Sequence, residues 1–392
     1  MIHPDKAFEI IINSKINLEN LKKENIPVIN AQGRVIAEDI YSSIDYPAFN
    51  KSAMDGFTYN SSDNSEIFKV IETVPAGFIA EKNIGHGECY RIMTGAKVPA
   101  DADRVVRFEY VDEKDDFIKI IKQEKGTNIC YQAEDLKKND KILKTGTLIR
   151  SQEIATMSML GLAEVSVYKQ PVAGLIITGS EIIDQGKEME QGKIYNSNGP
   201  QLYSQIVSMP ILCKYYGVVK DEESLIAEFF EKAFEECDII VVSGGVSMGD
   251  YDFVPHILKK LSVDLKFEQV AVKPGKALLF GQKNKTFVFG LPGNPVSTFI
   301  SFEMFVKPLI FKMMGHDFKP VIYKGKLAET IKRKNPDRLE YRPVYFDGRH
   351  IHKIEYHGSG HISALINSNA IIRIEQGISE IKKDEIIDVR QI

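Results

Sequence analysis

Asp238-Ile239-Ile240-Val241-Val242-Ser243-Gly244-Gly245-Val246-Ser247-Met248-Gly249-Asp250-Tyr251-Asp252 decides how the chain folds. Cys237 to Ser243 read as a continuous apolar strand buried on both faces. A glycine-rich turn follows directly. Gly244, Gly245 and Gly249 let the backbone turn its N–H groups toward an anion, and Ser243 and Ser247 add hydroxyl donors. In chemical terms this is a phosphate-binding loop. It is not a Walker loop, because no G-x-x-x-x-G-K-[ST] is present, and it is not the dinucleotide fingerprint, because no G-x-G-x-x-G opens a helix here. A ligand-free turn between strand and helix is the competing reading of the same residues.

Working outward, Val172 to Thr178 form a second continuous apolar strand. Leu225, Phe229 and Ala233 to Phe234 mark an intervening helix of about 15 residues. Strands buried on both faces and joined by helices imply a doubly wound α/β domain with a parallel sheet, placed at residues 171–319. Two further loops follow strands of this domain. Thr178-Gly179-Ser180-Glu181 is one. The other is Gly290-Leu291-Pro292-Gly293-Asn294-Pro295-Val296-Ser297, with Asn294 as N-cap and Pro295 at the first position of a helical run from Thr298 to Ile310. A helix start offers free N–H groups and partial positive charge to an oxyanion; a well-capped structural helix is the alternative. Three such loops lie along the carboxyl edge of one sheet, where open α/β sheets bind ligands.

Asp250 and Asp252 share the glycine loop, and Glu181 and Asp221 fall at strand or loop ends of the same domain. Carboxylates beside phosphate-binding loops invite Mg²⁺, which takes one or two protein carboxylates, several waters and the substrate's own phosphates. Any one of them alone reads as a solvated turn residue. Lys273-Pro274-Gly275-Lys276 brings two cations that bracket a turn, as anion ligands do.

Pro4 with Ala7, Phe8, Ile11 and Ile12 predicts an opening amphipathic helix. Residues 1–46 and 140–170 form an N-terminal helical and linker region, closed by a capped helix from Ser151 through Ile154, Met157 and Leu160 to Gly161. Between them, 47–139 reads as an inserted small β domain, with apolar runs Ile67 to Val70, Arg104 to Phe108 and Phe117 to Ile121. Within it Ser52-Ala53-Met54-Asp55-Gly56-Phe57 and Arg91-Ile92-Met93-Thr94-Gly95-Ala96 look like ordinary turns. Residues 320–392 make a C-terminal β domain. His350, His352, His357 and His361 cluster in it, but their spacing matches no common zinc pattern.

Composition excludes several classes. With 392 residues, 43% hydrophobic and 27% charged, the chain is a multidomain globular protein and not a disordered or fibrous one. Lys+Arg at 50 against Asp+Glu at 54 leaves a net charge of -4, which provides no basic field for nucleic acid. An anionic ligand must be held locally. No stretch approaches the roughly 18 apolar residues of a membrane span, and Met1 to Asp5 lack a signal-peptide order, so a cytoplasmic protein is expected. Cys89, Cys130, Cys213 and Cys237 form no C-x-x-C pair, and free buried thiols are expected.

Taken together, SAMDGF, RIMTGA, GKIYNSNGPQL, SGGVSMGDYDF, KPGKALLFG, GLPGNPVS and HGSG resemble, in the same order, the signature segments of the molybdopterin molybdenumtransferase family, the MoeA type and the E domain of gephyrin. The resemblance runs from about Pro47 to Gly360. It implies Mg²⁺-dependent hydrolysis of adenylylated molybdopterin, insertion of molybdate into the dithiolene, and release of AMP. It implies an elongated homodimer, formed partly through the N-terminal region, with a site between one subunit's α/β domain and the partner's inserted domain. Asp55, Thr94 and Asp135 would come from the inserted domain, Glu181, Asp221, Asp252 and Lys273 from the α/β domain, and Arg342 and Ser359 from the terminal one. Asp55, Asp135, Glu181, Asp221, Asp252 and Lys273 are thereby the catalytic candidates. Glu181, Asp221 and Asp252 are the metal candidates. The loop from Ser243 to Asp252 would hold the pyrophosphate, and molybdate would sit near Lys273, Lys276 and the start of the helix at Gly293, Asn294, Pro295 and Ser297. An adenylyltransferase is a candidate partner. Two other functions are carried beside this one: an adenylyltransferase acting on the pterin, and a non-catalytic gephyrin-like scaffold. Tungsten in place of molybdenum also stays open. The chain departs from the family pattern at Ser180 and Asn196, where members often have Asp, at Gln269, where some have Lys, and at Ala133, where Gly is common.

Overall fold

The computed structural model describes residues 1–14, 16, 21–247 and 252–392. These divide into two compact units, one comprising Met1–Ala37, Gly146–Arg150 and Glu164–Ile392, the other Glu38–Thr145 and Ser151–Ala163. Gly249 and Asp250 lie outside the described residues.

The first unit is built on six strands: β1 (Val172–Thr178), β2 (Leu212–Val219), β3 (Ile239–Ser243), β4 (Asp264–Phe267), β5 (Leu279–Lys283) and β6 (Thr286–Leu291). Their spatial order is β2-β1-β3-β6-β5-β4. The first four are mutually parallel, whereas β5 runs antiparallel to both of its neighbours, β6 and β4. The sheet is therefore mixed, not wholly parallel as the apolar runs suggested. The reason is local: Lys283 pairs with Thr286 across a two-residue turn in which Asn284 takes φ 53, so β5 folds straight back onto β6.

Among the described residues, α1 (Asn198–Val207), α2 (Glu223–Glu236), α3 (Val254–Lys260) and α4 (Pro295–Ser301) pack on this sheet. Alternate strand residues divide between the two faces. Leu175, Ile177, Val241 and Phe289 share one core with Leu202 and Ile206 of α1 and Val296 and Ile300 of α4. Ile176, Ile240, Val242 and Val288 share the other with Ile226 and Phe230 of α2 and Val254 and Ile257 of α3. Each fully buried Ile or Phe contributes about 1.5–3 kcal/mol relative to exposure, so both layers are strongly held. In α2 the buried stripe is Ile226, Phe230 and Ala233. It sits one residue past the expected Leu225 and Phe229, which flank the core half-buried. The helical run after Pro295 is not uniform either. A π-helical turn occupies Phe302–Val306 before an α-helix resumes over Lys307–Met313. Pro308 has no N–H to give the Met304 carbonyl, and the wider turn absorbs that break.

The unit closes with a C-terminal β barrel. Leu339–Phe346, His350–Lys353, Ile322–Leu327, Ile386–Gln391 and Ala370–Ile374 pair in that order, and the last returns to the first. Closure removes exposed strand edges. Leu327, Val344, Ile351, Ile372 and Val389 fill the interior.

The second unit holds a sheet in the order Arg104–Arg107, Gly56–Tyr59, Glu88–Ile92, Ile67–Val74, Phe117–Ile120, Val111–Lys114. Its helix runs over Ser151–Met159. Two of its residues give measurable consequences. Ala133 adopts φ 61, a conformation that costs an L-residue about 1–2 kcal/mol and costs glycine little. Ala133→Gly is expected to stabilise this unit by about 0.5–1 kcal/mol after the extra chain entropy of glycine, measured as a raised denaturation midpoint. Asp63 accepts from Gly87 N at 2.7 Å and Ser65 N at 2.9 Å. These bonds, that of Gly87 foremost, lower its carboxyl from 3.8 to about 2. A depressed carboxyl stabilises the fold fully above 3.8 and ceases to do so as pH falls through about 2. A carboxyl-carbon NMR titration should place the Asp63 midpoint near the lower figure, and a midpoint at 3.8 would contradict it.

Candidate functional site

The carboxyl ends of the four parallel strands lie side by side, so the loops that follow them form one rim. Asp221 follows β2, Gly179 and Glu181 follow β1, Gly244 and Gly245 follow β3, and Gly293 follows β6. In chain sequence β1 is flanked first by β2 and then, on its other side, by β3, so the winding reverses there and a crevice opens between the β1 and β3 loops. A cavity of about 1120 Å³ occupies that rim. Its walls include Glu181, Asp221, Asp252, Ser243, Gly244, Gly245, Ser247, Lys273, Lys276, Gly293, Asn294, Pro295, Ser297 and Ser359.

Gly244 is what lets the two loops meet. A Cβ there would stand 2.1 Å from the Thr178 carbonyl oxygen, and its φ is +99. Asn198, at the start of α1, locks this junction to the third loop. Its amide donates to Ser243 Oγ at 3.0 Å and to the Gly293 carbonyl at 2.7 Å. Ser243 Oγ in turn donates to the Pro292 carbonyl at 3.1 Å. The one hydroxyl proton of Ser243 is therefore committed to protein, and Ser243 serves the site as a brace in place of the expected anion donor.

The helix start differs from expectation in the same way. Asn294 occupies the N-cap position and Pro295 the first turn, but the Asn294 side chain makes no capping bond. Thr298 Oγ1 ties this loop from its carbonyl side, donating chiefly to the Pro292 carbonyl, with the Asn294 carbonyl at 3.0 Å. The Val296 N–H is taken by the Ser359 carbonyl at 3.0 Å, which fastens the Gly358-Ser359-Gly360 turn to the cavity rim.

The charged residues that line the cavity, among those described, are three carboxylates, Glu181, Asp221 and Asp252, and three cations, Lys273, Lys276 and Arg338. Charge is thus concentrated locally in a chain with little net charge. Asp221 Oδ2 accepts from Ser180 N at 2.7 Å, and Ser180 Oγ accepts from Asp221 N at 3.1 Å. This reciprocal bracket ties the loop after β1 to the loop after β2. Asp221 Oδ1 is buried without a hydrogen-bond partner. Asn196, the other departure, donates to Tyr215 Oη at 2.7 Å and accepts from Gly199 N at 2.8 Å, pinning the first turn of α1. A carboxylate there would keep the second bond and reverse the first.

No three His, Cys, Asp or Glu groups among the described residues form a metal-ligand cluster. The cavity therefore does not offer a protein-only cage. An orphaned Asp221 oxygen in a cavity that two further carboxylates also line fits a hard cation that takes one or two protein carboxylates and draws the rest of its shell from water and a phosphorylated ligand.

Arg342 does not line the cavity; its Nε donates to Glu340 Oε1 at 3.0 Å. Arg338 lines it instead, four residues earlier on the same segment. Asn198, Tyr356 and Arg338 were missed in the sequence. Only Asn198 had a signal, since it lies in the quoted GKIYNSNGPQL segment. Asp55, Thr94 and Asp135 belong to the second unit. There Asp55 Oδ1 accepts from Thr94 N at 2.7 Å and from Thr94 Oγ1 at 2.9 Å, and these bonds hold its carboxyl below the usual range. The backbone of Asp135 donates to the Tyr46 carbonyl at 3.1 Å. Burial raises the thiols of Cys89 and Cys213 to about 12, so neither supplies a thiolate at neutral pH.

These features define a doubly wound α/β enzyme of the switch-point class, with an attached β barrel that contributes to the cavity wall. Family models match in three consecutive stretches: the MoeA N-terminal region (domain I and II) at residues 2–161, a probable molybdopterin binding domain at 174–312, and the MoeA C-terminal region (domain IV) at 324–392. Molybdopterin molybdenumtransferase of Staphylococcus epidermidis is 34% identical, covering 98% of this chain and 94% of that protein. Its counterpart in Staphylococcus aureus is 33% identical over the same shares. The crystal structure of the molybdopterin biosynthesis moeA protein of Pyrococcus horikoshii superposes with a TM-score of 0.83 at 30% identity, covering all of both chains. The chain belongs to the MoeA family of molybdopterin molybdenumtransferases, and it is a transferase. No helix among the described residues is long and apolar enough to cross a membrane.

Proposed function

We propose that the chain completes the molybdenum cofactor by hydrolysing adenylylated molybdopterin with Mg²⁺, inserting molybdate into the dithiolene and releasing AMP. The observation that carries this reading is the cavity at one sheet edge that a glycine switch loop, three carboxylates and two lysines line together. Gly244 and Gly245 would bring backbone close to the phosphoanhydride, with Ser247 beside them. Lys273 and Lys276 hold the tetrahedral oxyanion against the Gly293 to Ser297 turn, where Asn294 and Pro295 set the chain direction, with Ser359 at the rim. One or two of Glu181, Asp221 and Asp252 would hold Mg²⁺, which polarises a phosphoanhydride when bound. The reacting sulfurs belong to the substrate, so no cysteine of the chain is called on. Asp55, Thr94 and Asp135 would complete the site from a partner subunit in a homodimer, and Arg342 acts from behind the cavity through Glu340. An adenylyltransferase that supplies the substrate is the proposed partner, and the cytoplasm the proposed location.

Purified protein incubated with adenylylated molybdopterin, molybdate and Mg²⁺ should release AMP and yield active cofactor in step. AMP release with no metal incorporated, or pyrophosphate release from ATP in its place, would refute the assignment.

A further inference from the structure

Lys273 enters the cavity from a two-residue strand, Val272–Lys273, that pairs in parallel with the barrel strand Leu339–Phe346, so that Lys273 stands in register with Glu340. Glu340 is 1% exposed and meets three cations. Its Oε1 accepts from Arg342 Nε at 3.0 Å; its Oε2 lies 2.9 Å from Arg333 Nε and 3.9 Å from Lys273 Nζ. Arg333 is itself immobile: its Nη1 donates to the carbonyls of Glu375 and Ile378 at 2.9 and 3.0 Å, and its Nη2 to that of Arg338. The carboxylate is therefore fixed from the barrel side, while the lysine it faces reaches into the cavity on a flexible four-carbon stem. One anion among three cations restrains Lys273 without neutralising the group.

We propose that Glu340 is a positioning residue that holds Lys273 in place for the anionic ligand, so that the C-terminal barrel tunes a site built on the α/β sheet. This rests on the role given to Lys273 above. Because Glu340 acts only through its partners, its loss should matter little once Lys273 is gone. Molybdate-dependent AMP release is the readout. Lys273→Gln and Glu340→Gln should each lower turnover at least tenfold, and the double variant should fall no more than threefold below Lys273→Gln alone. Glu340→Gln leaves Arg333 buried without its partner and can unfold the barrel. Arg333→Met combined with Glu340→Gln removes the buried ion pair together; because it also leaves the carbonyls of Glu375, Ile378 and Arg338 without their donor, it should melt below the wild type, and assayed at a temperature where it is folded it should lose the same tenfold. Losses that multiply in the Lys273 and Glu340 double variant would overturn the proposal, as would wild-type turnover in the Arg333→Met and Glu340→Gln variant. Full turnover in Lys273→Gln would instead remove the role of Lys273 itself, and the proposal with it.

Discussion

Gly244→Ala should lower turnover at least a hundredfold and destabilise the first unit by about 2–5 kcal/mol, the sum of overpacking and of left-handed backbone strain. The added methyl would sit 2.1 Å from a backbone oxygen of Thr178 and 2.9 Å from its side-chain oxygen. Neither neighbour can give way as a flexible side-chain end would, because Thr178 is the last residue of β1 and is buried. The two loops at the reversal of winding must therefore separate, and the backbone that approaches the ligand moves with them. Denaturant unfolding and turnover, measured on the same preparation, check both effects. A variant with wild-type stability and turnover would show that the crevice does not depend on this close approach.

Asp221→Asn should separate stability from activity. In the native chain one carboxylate oxygen is bonded to Ser180 N and the other is buried without a partner, an arrangement that costs folding free energy. The amide keeps an acceptor for Ser180 and removes the charge. The unfolding midpoint should stay level or rise, while Mg²⁺-dependent AMP release falls at least a hundredfold. Sites that hold a charge ready for a ligand show this trade between stability and function. Loss of stability together with activity would make Asp221 a structural residue, and retained activity would remove it from the metal set.

Much of this arrangement was legible in the sequence because it depends on local signals. Val172 to Thr178 and Ile239 to Ser243 announce themselves as apolar runs too short for helices, and the glycines that follow them mark where the chain turns at the sheet edge. Parallel strands joined by helices then place their loops on one side without further information. What stayed hidden depends on partners distant in the chain. The Ser243 hydroxyl reads as a ligand donor until Asn198 and Pro292 are seen around it. Arg338 and Arg342 are equivalent in the text, and only the barrel register sends one to the cavity and the other to Glu340. The antiparallel edge of the sheet was missed because β5 and β6 resemble the buried parallel strands, and the only cue was the Asn284 turn between them. The link from Val272–Lys273 to the barrel joins segments more than sixty residues apart, beyond the reach of periodicity.

Anomalous diffraction at the molybdenum edge, from crystals soaked with molybdate and AMP, tests the site most directly. A peak inside the switch-point cavity, between Lys273, Lys276 and the turn at Gly293, is the expected result. A fully occupied molybdate bound only outside that cavity would contradict the account.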